Sequence, residues 1–167
     1  MQVKAMKNKG SRRLVLLDIE NLAGSPLLTG QQVLGVCSDI SRAYPLEPRD
    51  LVYVGGHVGN AFPCDLAARI THGSVCLLRG RDAADRALIN RATEVPLEAF
   101  NSDVHPITEC VIGSGDRIFV DVAIEMKSRG LYVTVLSRSY NISRKLSQVA
   151  DRVVLLDDPT HSFPQAA

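Results

Sequence analysis

Apolar and polar positions along the chain form two kinds of segment that alternate. Short continuous apolar runs, typical of strands buried on both faces, occupy residues 13–18, 50–55, 74–79, 108–113, 131–137 and 152–156. Apolar residues at helical spacing occupy 29–43, 60–72, 83–95, 117–129 and 141–149. Strands and helices that alternate in this way form right-handed βαβ units. We therefore predict an α/β fold, a three-layer α/β/α sandwich with a mostly parallel central sheet whose first and fourth strands are adjacent.

The same pattern predicts one domain with a segment outside it at each end. The alternation spans residues 13–156, and a chain of 167 residues is long enough for one sizeable core. Residues 1–12 contain basic residues, no acid and no periodicity, so we predict a flexible basic arm that either contacts a polyanion or is simply solvated. The composition of residues 157–167 predicts a disordered C-terminal tail.

Composition and charge exclude several classes of protein. A net charge of +1 excludes a strong overall field, so any affinity for nucleic acid must come from local patches. No apolar stretch approaches the roughly 20 residues that span a bilayer, and the basic N-terminus lacks the apolar region of a signal peptide. The four cysteines are scattered without a C-x-x-C pair, which disfavours a zinc site. We expect buried thiols in a reducing cytoplasm.

Carboxylates follow three of the predicted strands, at the edge of the sheet where ligands of such folds bind. Asp18 ends the first strand, Asp85 lies in the first turn of the helix after the third strand, and Asp116 follows the fourth. Each has a purely structural alternative. Asp18 suits a turn, Asp116 suits a helix N-cap, and Asp82 with Asp85 resembles a capping box. Asp85 nevertheless shares a helical face with Ile89, so we expect it to point inward.

Considered together, the three carboxylates predict a metal site. Like charges repel strongly at short range unless a cation neutralises them, and an oxygen-rich cluster suits Mg²⁺ or Mn²⁺. Without metal, we expect at least one of these acids to have a raised pKa. Asp121 is excluded from the site because it forms a charged stripe with Arg117, Glu125 and Arg129 at helical spacing, which indicates exposure to solvent.

Three motifs and a C-terminal segment resemble NYN domains, a branch of the PIN-like nuclease superfamily. The segment LLDIENL (16–22) resembles the first motif, in which an Asp ends a strand and an Asn follows three positions later, here Asp18 and Asn21. GRDAADRALI (80–89) resembles the second motif, in which an acid opens a helix, here Asp85. VIGSGDRIF (111–119) resembles the third, and VTVLSRSYNISRKLSQVADRVVLL (133–156) is similar to the last strand, Ser-rich loop and helix of the family. The likeness covers residues 13–156, and the motifs are more specific in their order and spacing than singly.

The resemblance implies a PIN-like, Rossmann-like fold and an Mg²⁺- or Mn²⁺-dependent endoribonuclease that hydrolyses RNA phosphodiester bonds. It assigns Asp18, Asp85 and Asp116 to the metal and to catalysis, and it assigns to Asn21 the orientation of a carboxylate, the water or the phosphate. Residues near the third to fifth strands would hold the RNA backbone: Ser114, Arg79, Arg81, Arg86, Arg138, Arg144 and Lys145. Each basic residue also fits a solvated surface. Tyr140 is the aromatic residue available there for base stacking.

One position departs from the NYN pattern. The third motif commonly has a second acid two residues after the first, where this chain has Ile118. The missing acid favours weaker metal binding and leaves open a catalytically silent RNA-binding or protein-interaction module of the same fold. A dinucleotide-binding protein is disfavoured because DIENL follows the first strand in place of a G-x-G-x-x-G turn. An aspartyl-phosphate enzyme is disfavoured because Glu20 replaces its second Asp. A homodimer is also left open.

Overall fold

A single parallel sheet forms the centre of the protein. The computed structural model describes residues 10–158. Within them, six strands pair in the order β3-β2-β1-β4-β5-β6, and every neighbouring pair is parallel. The strands are β1 (Arg12–Asp18), β2 (Leu51–His57), β3 (Ser74–Leu78), β4 (Ile107–Gly113), β5 (Tyr132–Ser137) and β6 (Arg152–Leu155). The predicted parallel sheet with adjacent first and fourth strands is confirmed.

Helices cover both faces of this sheet. They are α1 (Ile19–Ala23), α2 (Gly30–Ala43), α3 (Ala61–Thr71), α4 (Ala83–Glu94), α5 (Leu97–Phe100), α6 (Val120–Ser128) and α7 (Arg144–Val149), with 3-10 helices at Val58–Asn60 and Arg117–Phe119. Side chains of a strand point to alternate faces. Accordingly, Leu14 and Leu16 belong to a buried cluster with α4–α7, whereas Val15 and Leu17 belong to one with α1–α3. The predicted three-layer sandwich is confirmed.

The strand order reverses between β1 and β4. The chain first builds β2 and β3 on one side of β1, and then returns through α4 and α5 to place β4 on the other side. Leu17 therefore pairs with Val54 in β2 and with Gly113 in β4, and Asp18 extends one residue beyond the β4 pairing. The segments after β1 and β4 diverge at this point, which opens a crevice at the carboxyl edge of the sheet.

Most predicted limits agree with the structure to within a few residues, and the differences have physical reasons. Helices α1 and α5 were not predicted, because five and four residues are too short to show helical periodicity. Arg12 belongs to β1 and not to the predicted arm, since its N–H donates to Pro106 O at 3.0 Å. Asp157, in the predicted tail, accepts hydrogen bonds from the N–H and hydroxyl of Ser139. The remainder of the predicted arm and tail lies outside the described residues.

The state of the cysteines and the lengths of the helices are two further features of the described residues. All four cysteines are free and buried, as predicted. Burial raises the pKa of Cys64 and of Cys110 to about 12, so these thiols stay protonated and unreactive at neutral pH. No helix in residues 10–158 is both long enough and apolar enough to cross a membrane.

Candidate functional site

A cleft of about 460 Å³ opens where the strand order reverses. Its walls come from the segments after β1, β2, β3, β4 and β5. The residues that line it are Asp18, Glu20, Asn21, Gly24, Ser25, Pro26, His57, Gly80, Asp82, Ala83, Ala84, Asp85, Asp116 and Asn141. The four residues that the sequence assigns to catalysis, Asp18, Asn21, Asp85 and Asp116, all belong to this set. The fold therefore brings them to one cleft.

Two of these acids form a buried carboxyl pair. The side chains of Asp18 and Asp85 are in hydrogen-bond contact, and the two residues are only 4% and 7% exposed. Asp18 Oδ1 also accepts a hydrogen bond from the Asn21 N–H at 3.1 Å. In contrast, Asp85 Oδ1 is buried and has no hydrogen-bond partner. A buried carboxylate oxygen without a donor is costly, so this atom marks a position where a ligand would stabilise the protein.

Helix α4 brings Asp85 to the pair by packing closely on β2. A Cβ atom at Gly55 would lie 2.4 Å from Leu88 Cγ and 2.8 Å from Ala84 O, so the glycine permits this approach. Asp85 points inward from the first turn of α4, as its helical spacing predicts. The capping box that was the structural alternative for Asp82 and Asp85 does not form. Asp82 adopts a left-handed conformation with φ of 52°, and its side chain makes no capping hydrogen bond.

Both members of the carboxyl pair have raised pKa values, and burial is the larger cause. Burial raises the pKa of Asp18 well above its ordinary range, with the charges of Asp85 and Glu20 adding to the effect. Burial raises the pKa of Asp85 to about 6, and the charge of Asp116 adds to the effect, although the hydrogen bond with Asp18 opposes it. One proton shared in the pair, mainly on the more buried Asp18, explains these directions. The raised pKa expected from the sequence is therefore present, but desolvation exceeds charge repulsion as its cause.

Asp116 lies on the wall of the cleft without joining the pair. It is exposed, and its Oδ1 accepts a hydrogen bond from Ile118 N at 3.0 Å as the N-cap of the 3-10 helix Arg117–Phe119. Its own N–H donates to Ser114 Oγ at 3.2 Å. Between residues 10 and 158, the structure contains no group of three or more His, Cys, Asp or Glu side chains that could hold a metal ion. Asp121 is exposed on α6, as expected.

Asn21 connects the loops after β1, β4 and β5. Its Oδ1 accepts hydrogen bonds from Gly115 N at 2.9 Å and from Asn141 Nδ2 at 3.0 Å. Asn141 Nδ2 also donates to the Asn21 carbonyl at 3.1 Å. Two donors on one oxygen fix the orientation of the Asn21 amide. The Asn21 Nδ2 group then has no acceptor in the described part of the chain, although the residue lines the cleft.

Glu20 and Asn60 form a support that the sequence analysis missed. Glu20 Oε1 accepts hydrogen bonds from His57 N at 2.9 Å and from Asn60 Nδ2 at 2.7 Å. Asn60 is buried and also contacts Pro26 O and Leu28 N. These bonds tie the loop after α1 to the end of β2. The signal available in the sequence was the position of Glu20 directly after a strand, between Asp18 and Asn21.

The residues predicted to contact RNA separate into two groups. Ser114 is fully buried and accepts from Asp116 N, so it shapes the loop and does not face a ligand. Arg138 donates to Leu22 O at 3.0 Å and pairs with Asp39 at 2.8 Å. Arg86 donates to Arg79 O and Arg81 O, which holds the loop after β3. The remaining side chains are exposed: Arg79, Arg81, Arg144, Lys145 and Tyr140.

Comparisons with known proteins add support for the fold. A scan against protein-family models gives no match, and a search of curated proteins also gives none. Among solved structures, the chain is similar to a protein of unknown function from Vibrio parahaemolyticus RIMD 2210633, with a TM-score of 0.58 and 16% sequence identity. The match covers 95% of this chain and 98% of that chain. At this identity the likeness concerns the fold alone.

The chemistry of the cleft suits a hard cation more than an anion. Five of the residues that line it carry carboxyl groups, and none is Lys or Arg. Oxygen ligands are those that Mg²⁺ and Mn²⁺ prefer. A divalent cation would give the unpaired Asp85 Oδ1 a partner. It would also replace the proton held by Asp18, since ligating carboxylates must be deprotonated. The donor set therefore fits such a cation at Asp18 and Asp85, with Asp116 near enough to influence the pKa of Asp85.

Proposed function

We propose that this protein is an Mg²⁺- or Mn²⁺-dependent endoribonuclease that hydrolyses phosphodiester bonds of RNA. The observation that carries the proposal is the buried Asp18–Asp85 pair, with one oxygen unpartnered, in an acidic cleft where the strand order reverses. The resemblance of residues 13–156 to NYN domains, in which acids at these positions ligate metal, supports the same activity.

Asp18 and Asp85 would hold the cation, and Asp116 would contact it directly or through water. When bound, the cation favours ionisation of a water molecule and neutralises charge on the scissile phosphate. Asn21 directs Nδ2–H toward the cleft because Gly115 and Asn141 occupy its oxygen, so it can orient the phosphate or the attacking water. Exposed Arg79, Arg81, Arg144 and Lys145 are placed after β3 and β5, where they would hold the RNA backbone on the rim.

The charges of the cleft make metal and RNA binding interdependent in this proposal. Five carboxyl-bearing residues in the lining would repel a phosphodiester. A divalent cation held by Asp18 and Asp85 would offset this repulsion at the position where the phosphate must enter. RNA is therefore expected to bind the cleft much more weakly without the divalent cation than with it.

The second candidate is a catalytically silent RNA-binding or protein-interaction module, and Ile118 favours it. This side chain is 36% exposed where NYN domains commonly have an acid, and its N–H is bound to Asp116 Oδ1 at 3.0 Å. Asp116 Oδ1 is thus used to cap its helix, and the second acid that would complete a metal site is missing. A silent module would bind Mg²⁺ or Mn²⁺ weakly and would leave RNA intact.

Cleavage of labelled RNA with and without EDTA tests the proposal. We expect wild type to cleave in Mn²⁺ or Mg²⁺ and Asp18→Asn to lose activity by orders of magnitude, because a ligand charge is removed while the shape is kept. Ile118→Asp is expected to raise activity at low metal by adding a ligand. Asp121→Asn, on the exposed face of α6, is the matched control and should behave as wild type. Cleavage that survives both EDTA and Asp18→Asn would end the metal-nuclease proposal, and no cleavage on a broad RNA panel would favour the silent module.

A further inference from the structure

His57 lines the cleft, and the proposed function leaves its side chain unused. The residue ends β2, next to Glu20 in the wall of the cleft. Its N–H donates to Glu20 Oε1 at 2.9 Å, and its ring Nδ1 accepts from Gly59 N–H at 2.9 Å. One contact fixes the main chain and the other fixes the ring. The side chain is therefore held in place before any ligand binds.

The contact from Gly59 determines which ring nitrogen carries the proton. A ring nitrogen that accepts a hydrogen bond presents a lone pair, so the neutral His57 ring carries its N–H at Nε2. Within the described chain no acceptor pairs with this Nε2–H. Asp, Asn or Ser would cap the 3-10 helix Val58–Asn60 equally well, but none of them is long enough to place an N–H donor at the position of His57 Nε2.

Hydrogen-bond donors are scarce in this cleft. Five lining residues are acids, and Lys and Arg are absent from the lining that the structure describes. Ser25 Oγ donates to Leu27 O, and Asn141 Nδ2 donates to Asn21. Among the described lining residues, the uncommitted side-chain donors are Asn21 Nδ2, after β1, and His57 Nε2, at the end of β2. An anionic group in the cleft would find its side-chain donors at these two residues.

We propose that His57 is a substrate-contacting residue whose ring donates Nε2–H to a non-bridging phosphate oxygen of bound RNA. This inference rests on the proposed function. Asn21 lies in α1 directly after β1, His57 ends the neighbouring strand β2, and both line the cleft, so their two donors would hold one phosphate group while Asp18 and Asp85 remain available to the cation. A hydrogen bond from a fixed donor to a charged phosphate is among the stronger single contacts in a binding site.

Three histidine substitutions isolate the Nε2–H group. In His57→Asn, Oδ1 takes the place of Nδ1 and keeps the bond from Gly59, while the amide Nδ2 takes the place of Cδ2, so no N–H remains at the position of Nε2. In His57→Gln, the longer side chain places an amide N–H near the former Nε2 position. His72→Asn is the matched control, because His72 is an exposed left-handed C-cap of α3 with φ of 53°, a conformation that Asn accepts.

We expect His57→Asn to lower kcat/KM for single-stranded RNA by about 10- to 100-fold with an unchanged melting temperature, since one hydrogen bond to a charged group is lost. His57→Gln should recover part of the loss, and His72→Asn should equal wild type. The ¹H–¹⁵N spectrum of the free protein should show the Nε2–H tautomer, with the Nε2 resonance shifting when RNA is added. An Nδ1–H tautomer in the free protein would overturn the inference whatever the variants do.

RNA affinity provides a readout that does not depend on cleavage. Fluorescence anisotropy of a labelled single strand in Ca²⁺, with a gel to show that the RNA is intact, is expected to give weaker binding for His57→Asn by at least about 5-fold. If wild type cleaves RNA and His57→Asn cleaves and binds it equally, the inference about His57 fails while the proposed function stands. If wild type neither cleaves nor binds RNA, both fail.

Discussion

The behaviour of the site depends first on one proton between two residues. Asp18 and Asp85 are buried in contact, and burial raises the pKa of both carboxyls. Without a cation, the protein therefore either keeps a proton there or accepts the repulsion of two charges. A neutral amide at either position keeps the shape and removes this conflict. Replacing either Asp with Asn should consequently raise the stability of the metal-free protein while it weakens metal binding.

Asp85→Asn is expected to raise the free energy of unfolding at pH 8 without metal by about 1–3 kcal/mol, because each unit of pKa displacement corresponds to about 1.4 kcal/mol. Urea denaturation measures the change. Asp121→Asn, on the exposed face of α6, is the control and should change stability by less than about 0.5 kcal/mol. A less stable Asp85→Asn protein would contradict a repulsive carboxyl pair.

At the scale of elements, the site depends on the contact between the loop after β4 and the loop after β5. A Cβ atom at Gly115 would lie 2.4 Å from Asn141 O and 2.5 Å from Ser137 Oγ. Ser143 N–H donates to Gly115 O at 2.8 Å, and Gly115 N–H donates to Asn21. The two loops can close on Asn21 only because this position has no side chain.

Gly115→Ala is expected to lower the free energy of unfolding by about 2 kcal/mol or more, because the added methyl group meets backbone atoms that cannot move aside freely. Gly35→Ala is the matched control. Gly35 is exposed within α2, and a Cβ there would meet nothing within 4 Å, so alanine should stabilise the protein by up to about 1 kcal/mol. Equal effects of the two substitutions in urea denaturation would contradict the packing described for the loops.

The elements were more predictable from the sequence than the contacts that close the site. Continuous apolar runs predict the strands because strands buried on both faces need apolar residues at every position. Spacing with Ile89 also predicts the inward face of Asp85. In contrast, the Asn21–Asn141 bond joins residues 120 positions apart, and no local pattern encodes it. Ser and Arg are residue types that often contact RNA, but here Ser114 is buried and Arg138 donates a hydrogen bond to Leu22 O within the protein.

At the scale of the whole molecule, the carboxyl pair links stability to pH. Asp18 and Asp85 bind a proton more tightly in the folded chain than in the unfolded chain. Their contribution is therefore most favourable at acidic pH and is lost as pH rises, from about 4 through about 6 in the case of Asp85. Asp151 and Asp157 have lowered pKa values, so they stabilise the folded protein above about pH 4. This contribution is lost only as the pH decreases below about 4.

Between pH 5 and pH 8, metal-free wild type is expected to lose about 1–3 kcal/mol more stability than a double variant with Asn at positions 18 and 85. Denaturation curves at the two pH values measure the difference. Under the proposed function, Mg²⁺ should raise the melting temperature of wild type at pH 8 far more than at pH 5, because the cation replaces the shared proton. If the free energy of unfolding changed with pH in the same way for wild type and the double variant, the raised pKa values would be contradicted.

The central place of β1 has a consequence for how the protein is made. β1 is synthesised before the other five strands that the structure describes, yet its second partner is β4, and Arg12 pairs with Ile107. At roughly 5–20 residues per second, a nascent chain would wait several seconds with one edge of β1 unpaired. During that time the apolar face that α6 and α7 finally cover is also open. Fragments that end before β4 should therefore aggregate during translation, and pairing of β1 with β4 should limit the rate of folding.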